Sequence, residues 1–272
     1  MAASNLTIRL ATAVVMVPLI LGMLFFGEAW WWLVFLLLVA VTCALELYAM
    51  TFPGDRVAQG ASTLMIWAVM LGIWFSPEQP KILLTVMLLV PIGSVLLVLW
   101  RLGEIAPAAL QLASATFGPL WIGGGIGAIA LVRKLGGSDG AAFVVLCLVL
   151  AWIGDTGGYF AGRAFGKHKL YERVSPKKTV EGAIGGVCAV IGGVLVTRAL
   201  VLHSLPIRDA VALGAVGAVL GIVGDLGESL LKRSVGVKDS GGIVPGHGGM
   251  LDRIDAVLIT APVTLLYLLW MR

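Results

Sequence analysis

The feature that most constrains the fold is a series of long apolar runs that recurs along the whole chain. They cover residues 6–26, 30–52, 61–75, 82–100, 113–132, 141–165, 183–202, 210–231 and 256–270. A helix of about 20 apolar residues crosses a bilayer. Because 59% of the residues are hydrophobic and only 12% are charged, against roughly 25% charged in soluble domains, a water-soluble fold is excluded. The sequence predicts an all-α polytopic membrane protein with about nine transmembrane helices.

Polar residues are distributed unevenly between the two halves of the chain. Residues 1–135 are largely apolar spans, whereas nearly all charges in or beside a span lie in residues 136–272. No fixed-period repeat and no soluble segment separates the halves, so we predict one integral membrane domain over residues 1–272. We expect its C-terminal half to contain the catalytic spans and loops around a polar, cytoplasm-facing cavity.

Two basic loops indicate the orientation in the membrane. Residues 163–180 and 232–253 are rich in lysine and arginine and are separated by two apolar runs, so they share one side. Cytoplasmic loops carry this excess, which predicts a cytoplasmic N-terminus, although Arg133 and Lys134 do not fit the count. The net charge of +4 is small and no nucleic-acid motif occurs, so the lipid bilayer, and no nucleic acid, is the expected partner.

Several acidic residues lie in or at the ends of apolar runs, where each costs about 3 kcal/mol at the bilayer centre. They are Glu46, Asp155, Asp225, Glu228 and Asp255. Such acids require water, cations or one another, which indicates a hydrated cavity among the later helices. Interhelical hydrogen bonding or interfacial snorkelling is the alternative, and we favour it for Glu46. Asp225 and Glu228 lie one turn apart, which suits a hard cation.

A polar stripe leaves the membrane at one end of the run 141–165 and leads into the first basic loop. Its helical spacing and the cations and hydroxyls that follow suit a polyphosphate, although an anchor for anionic lipid headgroups is the simpler alternative. The candidate binding residues are Asp155, Arg163, Ser175, Lys177, Lys178 and Thr179.

The second basic loop combines glycines, cations and acids in an unusual density. Gly246, Gly248 and Gly249 permit close backbone approach, so their N–H groups suit phosphate oxygens. Asp225 and Asp252 are candidate ligands of a cation bridging the phosphates, as nucleotidyl or phosphoryl transfer requires. His247 is a proton shuttle, a phosphate donor or a turn residue. Further charged candidates are Lys232, Arg233, Lys238, Asp239, Arg253 and Asp255.

Three segments resemble the signature of bacterial phosphatidate cytidylyltransferases, also called CDP-diacylglycerol synthases. They are Ser229-Leu-Leu-Lys-Arg233, Lys238-Asp-Ser-Gly241 and Pro245-Gly-His-Gly-Gly-Met-Leu-Asp-Arg-Ile-Asp255. Segments 155–163 and 175–182 resemble two further family blocks in the expected order. Gly158 departs from the family, which often has alanine there.

The resemblance implies transfer of CMP from CTP to phosphatidic acid, which yields CDP-diacylglycerol and pyrophosphate for phospholipid synthesis. It further implies Mg²⁺ bound by Asp225 and Asp252, a second, monovalent cation such as K⁺, a homodimer, and a multi-pass position in the cell inner membrane. With it, we assign catalysis to Asp225, Asp252, Lys232, Arg233 and His247. Substrate binding is assigned to the other candidate residues of the two basic loops and of the polar stripe, and to Glu228.

Two other functions remain open alternatives. An ion-coupled transporter of a phosphorylated or anionic substrate also uses intramembrane acids and glycine-interrupted helices. It predicts matching polar segments in both halves, whereas the polar residues here crowd into one. A CDP-alcohol phosphotransferase fits the sequence less well than a transporter does. The segment Asp139-Gly-Ala-Ala142 lacks the arginine of that family's motif.

Overall fold

A computed structural model describes residue 14 and residues 17–243 and 248–271. Within these residues the regular secondary structure consists of helices and one two-stranded hairpin. The helices are α1 Val17–Phe26, α2 Ala29–Thr51, α3 Arg56–Phe75, α4 Pro80–Trp100, α5 Ala108–Gly118, α6 Gly124–Leu135, α7 Gly140–Phe165, α8 Val180–Leu200, α9 Ile207–Ser234, α10 Leu251–Ile254 and α11 Val257–Met271. The strands are β1 Lys169–Tyr171 and β2 Ser175–Thr179.

The predicted all-α membrane architecture is confirmed. Over the described ranges, eight helical segments are long and apolar enough to cross a membrane. They are Ala29–Thr51, Arg56–Phe75, Pro80–Trp100, Ala108–Leu135, Gly137–Phe165, Val180–Leu200, Ile207–Ser234 and Leu251–Met271. The additional predicted span at 6–26 lies in part outside the described residues, and its described part is α1.

The chain divides into two compact units. Unit 1 consists of Met1–Leu131 and Asp239–Arg253, and unit 2 of Val132–Lys238 and Ile254–Arg272. In unit 1, α3 packs against α2 and α4, and α5 packs against α4. A π-helical turn, Pro119–Gly123, joins α5 to α6. Gly123 allows this turn to approach α3 closely, because a Cβ there would lie 2.8 Å from the carbonyl oxygen of Ile66.

In unit 2, α8 packs against both α7 and α9, and α11 packs against α7 and α9. Glycines of α9 form close helix contacts. A Cβ on Gly217 would lie 2.8 Å from the Leu150 side chain, and one on Gly224 would lie 3.0 Å from Ile259. Small residues let membrane helices approach closely, and the resulting packing holds them together where hydrophobic burial does not.

Local signals define where several of these helices begin and end. The carboxylate of Asp55 accepts a hydrogen bond from Ala58 N (3.0 Å) and caps α3. Thr179 caps α8 in the same way, through Gly182 N at 3.1 Å. Such caps satisfy backbone N–H groups that have no partner inside the helix. Beyond α9, Gly236 has φ of +77°, a conformation that glycine adopts without a steric penalty.

Candidate active site

A short β-hairpin carries the first basic loop of unit 2. Strand β1 pairs antiparallel with β2, and Lys169 lies opposite Thr179. The carboxylate of Glu181, in the first turn of α8, accepts from the backbone N–H groups of Lys167 (3.0 Å) and His168 (3.2 Å). These bonds fix the entry to the hairpin against the start of α8. The segment that the sequence presented as a loop is therefore ordered, and the hairpin was not predicted.

A cavity of about 360 Å³ opens between α7, the hairpin and α8. This volume is in the range of small-molecule sites, roughly 300–1,000 Å³. Its lining includes five of the residues predicted from the sequence to bind substrate: Asp155, Arg163, Lys177, Lys178 and Thr179. Ser175 lies in β2 but does not line the cavity. Glycines of α7 and α8 form much of the remaining wall.

Cations dominate the rim of this cavity. Arg163 and Lys177 are exposed, and Arg163 Nη1 donates to the hydroxyl of Tyr159 at 3.2 Å. The ammonium of Lys178 forms an ion pair with Asp225 of α9, although the two residues are 47 positions apart. Because these cations converge on one cavity, its rim suits a multiply charged phosphate.

Three carboxyl groups of unit 2 interact with one another electrostatically. The side chain of Asp255 interacts electrostatically with those of Asp225 and Asp155, and with the ammonium of Lys232. On α9, Ser229 Oγ donates to Asp225 Oδ1 at 3.3 Å. The predicted cluster of acids in the C-terminal spans is thus present, and it mixes acids with lysines.

Glu228 and Lys232, one turn apart on α9, form a buried ion pair. Lys232 Nζ donates to Glu228 Oε2 at 2.6 Å, and the two side chains are 11% and 1% exposed, respectively. Removing one partner of such a pair leaves a buried charge, which is strongly destabilising. Substituting either residue alone should therefore destabilise the protein, and the predicted roles of both residues toward substrate stay predictions.

The end of α9 is more open. Arg233 is exposed, and its Nη1 donates to the carbonyl of Val237 at 3.1 Å. Lys238 is exposed as well. Neither residue lines the cavity described above, so their assignment to catalysis and binding also stays a prediction.

The remaining predicted residues belong to unit 1. Asp239 and Arg253 are exposed, and Gly248 has φ of +84°. The backbone N–H groups of Ser240 and Gly249 both donate to Asp252 Oδ2, at 3.0 and 3.1 Å. The N–H group of Gly249, predicted to bind phosphate, is thus bonded to Asp252 here. Gly246 and His247 lie outside the described residues.

Glu46 is the residue whose importance the sequence did not reveal. It is buried, so it does not snorkel, and it is hydrogen-bonded as expected. Its partners, however, are the hydroxyl of Ser240 and the backbone of Met250 and Leu251, within the glycine-rich signature segment. The signal available in the sequence was the acid itself, in an apolar run otherwise without charge.

The donor chemistry at Asp225 fits a divalent cation. Mg²⁺ prefers oxygen ligands and is commonly held by one or two carboxylates together with water and substrate phosphates. Asp225 is 23% exposed and contacts Lys178 on the cavity rim. Within residues 17–243 and 248–271, no group of three or more histidine, cysteine or acidic side chains forms a ready-made metal cage. Asp252 belongs to unit 1 and Asp225 to unit 2. Their joint binding of one cation therefore stays a prediction.

The fold and cavity define a multi-pass membrane protein with a cation-rimmed cavity that suits anionic ligands. Comparison with known sequences gives the family. The sequence profile of the cytidylyltransferase family matches residues 7–271, and the chain therefore belongs to that family. The resemblance inferred from the signature segments is confirmed.

Several individual relatives are named phosphatidate cytidylyltransferase. A phosphatidate cytidylyltransferase of Pseudomonas aeruginosa is 33% identical over 268 residues, which cover 94% of each protein. Those of Staphylococcus haemolyticus and Thermotoga maritima are 41% and 42% identical over 134 and 130 residues. In these last two alignments the chain spans about half the length of the relatives, 52% and 48%.

Proposed function

We propose that the protein transfers CMP from CTP to phosphatidic acid, which releases pyrophosphate and forms CDP-diacylglycerol for phospholipid synthesis. The observation that carries the proposal is the cavity where Arg163, Lys177 and Lys178 converge, in a chain of the cytidylyltransferase family. The similarity to the Pseudomonas protein over 94% of both chains supports the same substrates.

The reaction requires two polyanionic substrates to approach each other. An oxygen of the lipid phosphate forms a bond to the α-phosphorus of CTP while the bond from that phosphorus to the bridging oxygen of pyrophosphate breaks. We assign Lys177 and Lys178 to neutralising phosphate oxygens and Arg163 to holding a phosphate, which is supported by the presence of all three in the lining of one cavity. Positioning and charge neutralisation provide most of the catalysis in such reactions.

The ion pair between Lys178 and Asp225 links the cavity rim to α9. We assign Asp225 as a ligand of Mg²⁺, which would supply charge neutralisation on the phosphates when bound. Lys178 is then shared between this carboxylate and the substrate. The predicted second ligand, Asp252, and a monovalent cation such as K⁺ are further parts of the proposal, supported by the family resemblance alone.

The cavity is proposed to face the cytoplasm, where CTP is available. In support, Lys177, Lys178 and neighbouring basic residues cluster on the hairpin, and cytoplasmic loops carry such an excess. The ion pair of Lys178 with Asp225 places the start of α8 beside the C-terminal half of α9, as expected for antiparallel neighbours in a membrane. The inner membrane and a homodimer are proposed on the family resemblance.

Turnover by the purified protein tests this proposal. The protein in nanodiscs is given phosphatidic acid, CTP and Mg²⁺, and both pyrophosphate and CDP-lipid are measured. Lys178→Met should lower kcat/KM on the order of 100-fold, because it removes a charge at the phosphates. Lys169→Met is the matched control, because Lys169 lies in the same hairpin but does not line the cavity, and its Nζ donates to the carbonyl of Pro176 at 2.6 Å.

The possible results separate the candidate functions. Lipid-dependent formation of CDP-lipid, reduced in Lys178→Met and retained in Lys169→Met, would support both the reaction and the site. Absence of turnover in a folded protein that binds CTP would indicate a different lipid acceptor. A folded protein that does not bind CTP would contradict the proposal and favour the ion-coupled transporter.

A further inference from the structure

Glu46 is a buried acid in α2 that the proposed reaction does not use. It is 3% exposed and lies in a helix that contains no other acidic or basic side chain. An acid in such a helix costs about 3 kcal/mol on insertion scales for the bilayer centre. A carboxylate buried here therefore requires several hydrogen-bond donors.

Three donors reach it, all from the signature segments of unit 1. Oε1 accepts from Met250 N at 2.9 Å, and Oε2 accepts from Leu251 N at 2.8 Å and from Ser240 Oγ at 3.1 Å. An ionised carboxyl group only accepts hydrogen bonds, so both oxygens are used in the way that a carboxylate requires. The donors lie 194 to 205 positions away in the sequence.

The same residues also hold Asp252. Ser240 donates its hydroxyl to Glu46 and its backbone N–H to Asp252. Gly249, directly before the two amides that bond to Glu46, donates its N–H to Asp252 at 3.1 Å. Two carboxylates are thus connected through Ser240 and through the backbone of residues 249–251.

Glycines in the segment are required by the approach to Glu46. A Cβ on Gly241 would lie 2.7 Å from Glu46 Oε1, and one on Gly249 would lie 2.7 Å from Glu46 Oε2. Gly248, directly before Gly249, has φ of +84°, a conformation that glycine adopts without a steric penalty. Part of the glycine-rich signature is therefore explained by packing around a buried carboxylate.

We propose that Glu46 is a positioning residue, which fixes the backbone of Gly249–Leu251 and through it orients the Asp252 carboxylate. The inference rests on the proposed function, because Asp252 is predicted to act in that reaction. Glu46 itself touches no substrate in this role. Its effect is on the geometry of Asp252, the predicted second ligand of Mg²⁺.

Two substitutions test it. In Glu46→Gln, one oxygen becomes an NH₂ group that faces a backbone N–H donor, so the segment must move. We expect kcat to fall on the order of 100-fold, as displacements near 1 Å do at reacting groups, while KM for CTP changes little. Ser240→Ala removes one of the three donors and should lower kcat less, by about tenfold. The control is Thr51→Val, also buried in α2, whose hydroxyl bonds only within its own helix.

Hydrogen exchange provides a readout that does not depend on activity. Peptides covering residues 248–252 should exchange at least about tenfold faster in Glu46→Gln than in Thr51→Val, because one of the two backbone bonds to the side chain loses its acceptor and the segment moves. Unchanged kcat in folded Glu46→Gln, or unchanged exchange in either Glu46→Gln or Ser240→Ala, would overturn the proposal. If Glu46→Gln does not fold, Ser240→Ala decides by the same two measurements. Failure of the wild-type protein to form CDP-lipid would contradict the proposed function instead, and the exchange result would still decide the role of Glu46 in fixing this segment.

Discussion

Gly186 lies where α8 comes close to the backbone of α7, and replacing it by alanine tests that packing. A Cβ at this position would lie 2.9 Å from the carbonyl oxygen of Gly154. Carbon–oxygen contacts normally settle at about 3.3–3.6 Å, so the two helices must separate locally by about 0.5 Å. The obstacle is backbone, which cannot rotate away as a flexible side chain does.

The expected cost follows from two opposing effects. Alanine in place of glycine inside a helix is favourable by roughly 0.5–1 kcal/mol, whereas overpacking costs about 1–3 kcal/mol. Gly192→Ala is the matched control, because Gly192 lies in the same helix and its Cβ would meet nothing within 4 Å. The helix effect is common to both variants, so the control should be more stable than Gly186→Ala by about 1–3 kcal/mol.

Unfolding in detergent, followed by circular dichroism, measures this difference. Turnover should also fall by about tenfold or more in Gly186→Ala, because Gly154 precedes Asp155 and both Gly154 and Gly186 line the cavity. Equal stability of the two variants would refute the close approach of α7 and α8. A less stable Gly186→Ala protein with normal turnover would show that the packing of α7 against α8 does not control the geometry of the site.

Three further outcomes are expected. Removal of divalent cations with EDTA should abolish turnover and Mg²⁺ should restore it, with Asp225→Asn requiring more Mg²⁺; full turnover in EDTA would contradict the metal assignment. Hydrogen bonding by Arg101 lowers the pKa of Asp55 in the folded protein. The contribution of the Asp55 carboxylate to stability is therefore present above its pKa in the unfolded chain, about 3.9. That contribution is lost as pH falls through the lower pKa of Asp55 in the folded protein. Asp55→Asn, which keeps the helix cap, should accordingly be less stable than wild type at pH 7 but not at pH 2, as measured by denaturant unfolding. Gly158→Ala should stay within about 0.5 kcal/mol of wild type, because its Cβ would lie 3.3 Å from the carbonyl of Gly182; a larger loss would contradict the described spacing.

The site could be predicted only in part from the sequence. The stripe from Asp155 to Arg163 and the cations Lys177 and Lys178 do meet at one cavity, because helical spacing and a short connection already bring them near each other. The sequence also presented Thr179 as a phosphate ligand, but did not predict that its hydroxyl caps α8. The hairpin was missed because strands of three and five residues leave too little pattern in a charged loop.

The sequence by itself determined that the chain spans a membrane and to which family it belongs. It also determined where the later spans begin and end, to within a few residues. These properties are local, since the transfer of each apolar run into lipid depends on the residues of that run alone. Only the tertiary structure decided which charges meet. Glu46 and Met250 are 204 positions apart, and Lys178 and Asp225 are 47 apart. Such pairs depend on which helix faces pack together, and that choice follows from close contacts between glycines and neighbouring side chains that no single segment specifies.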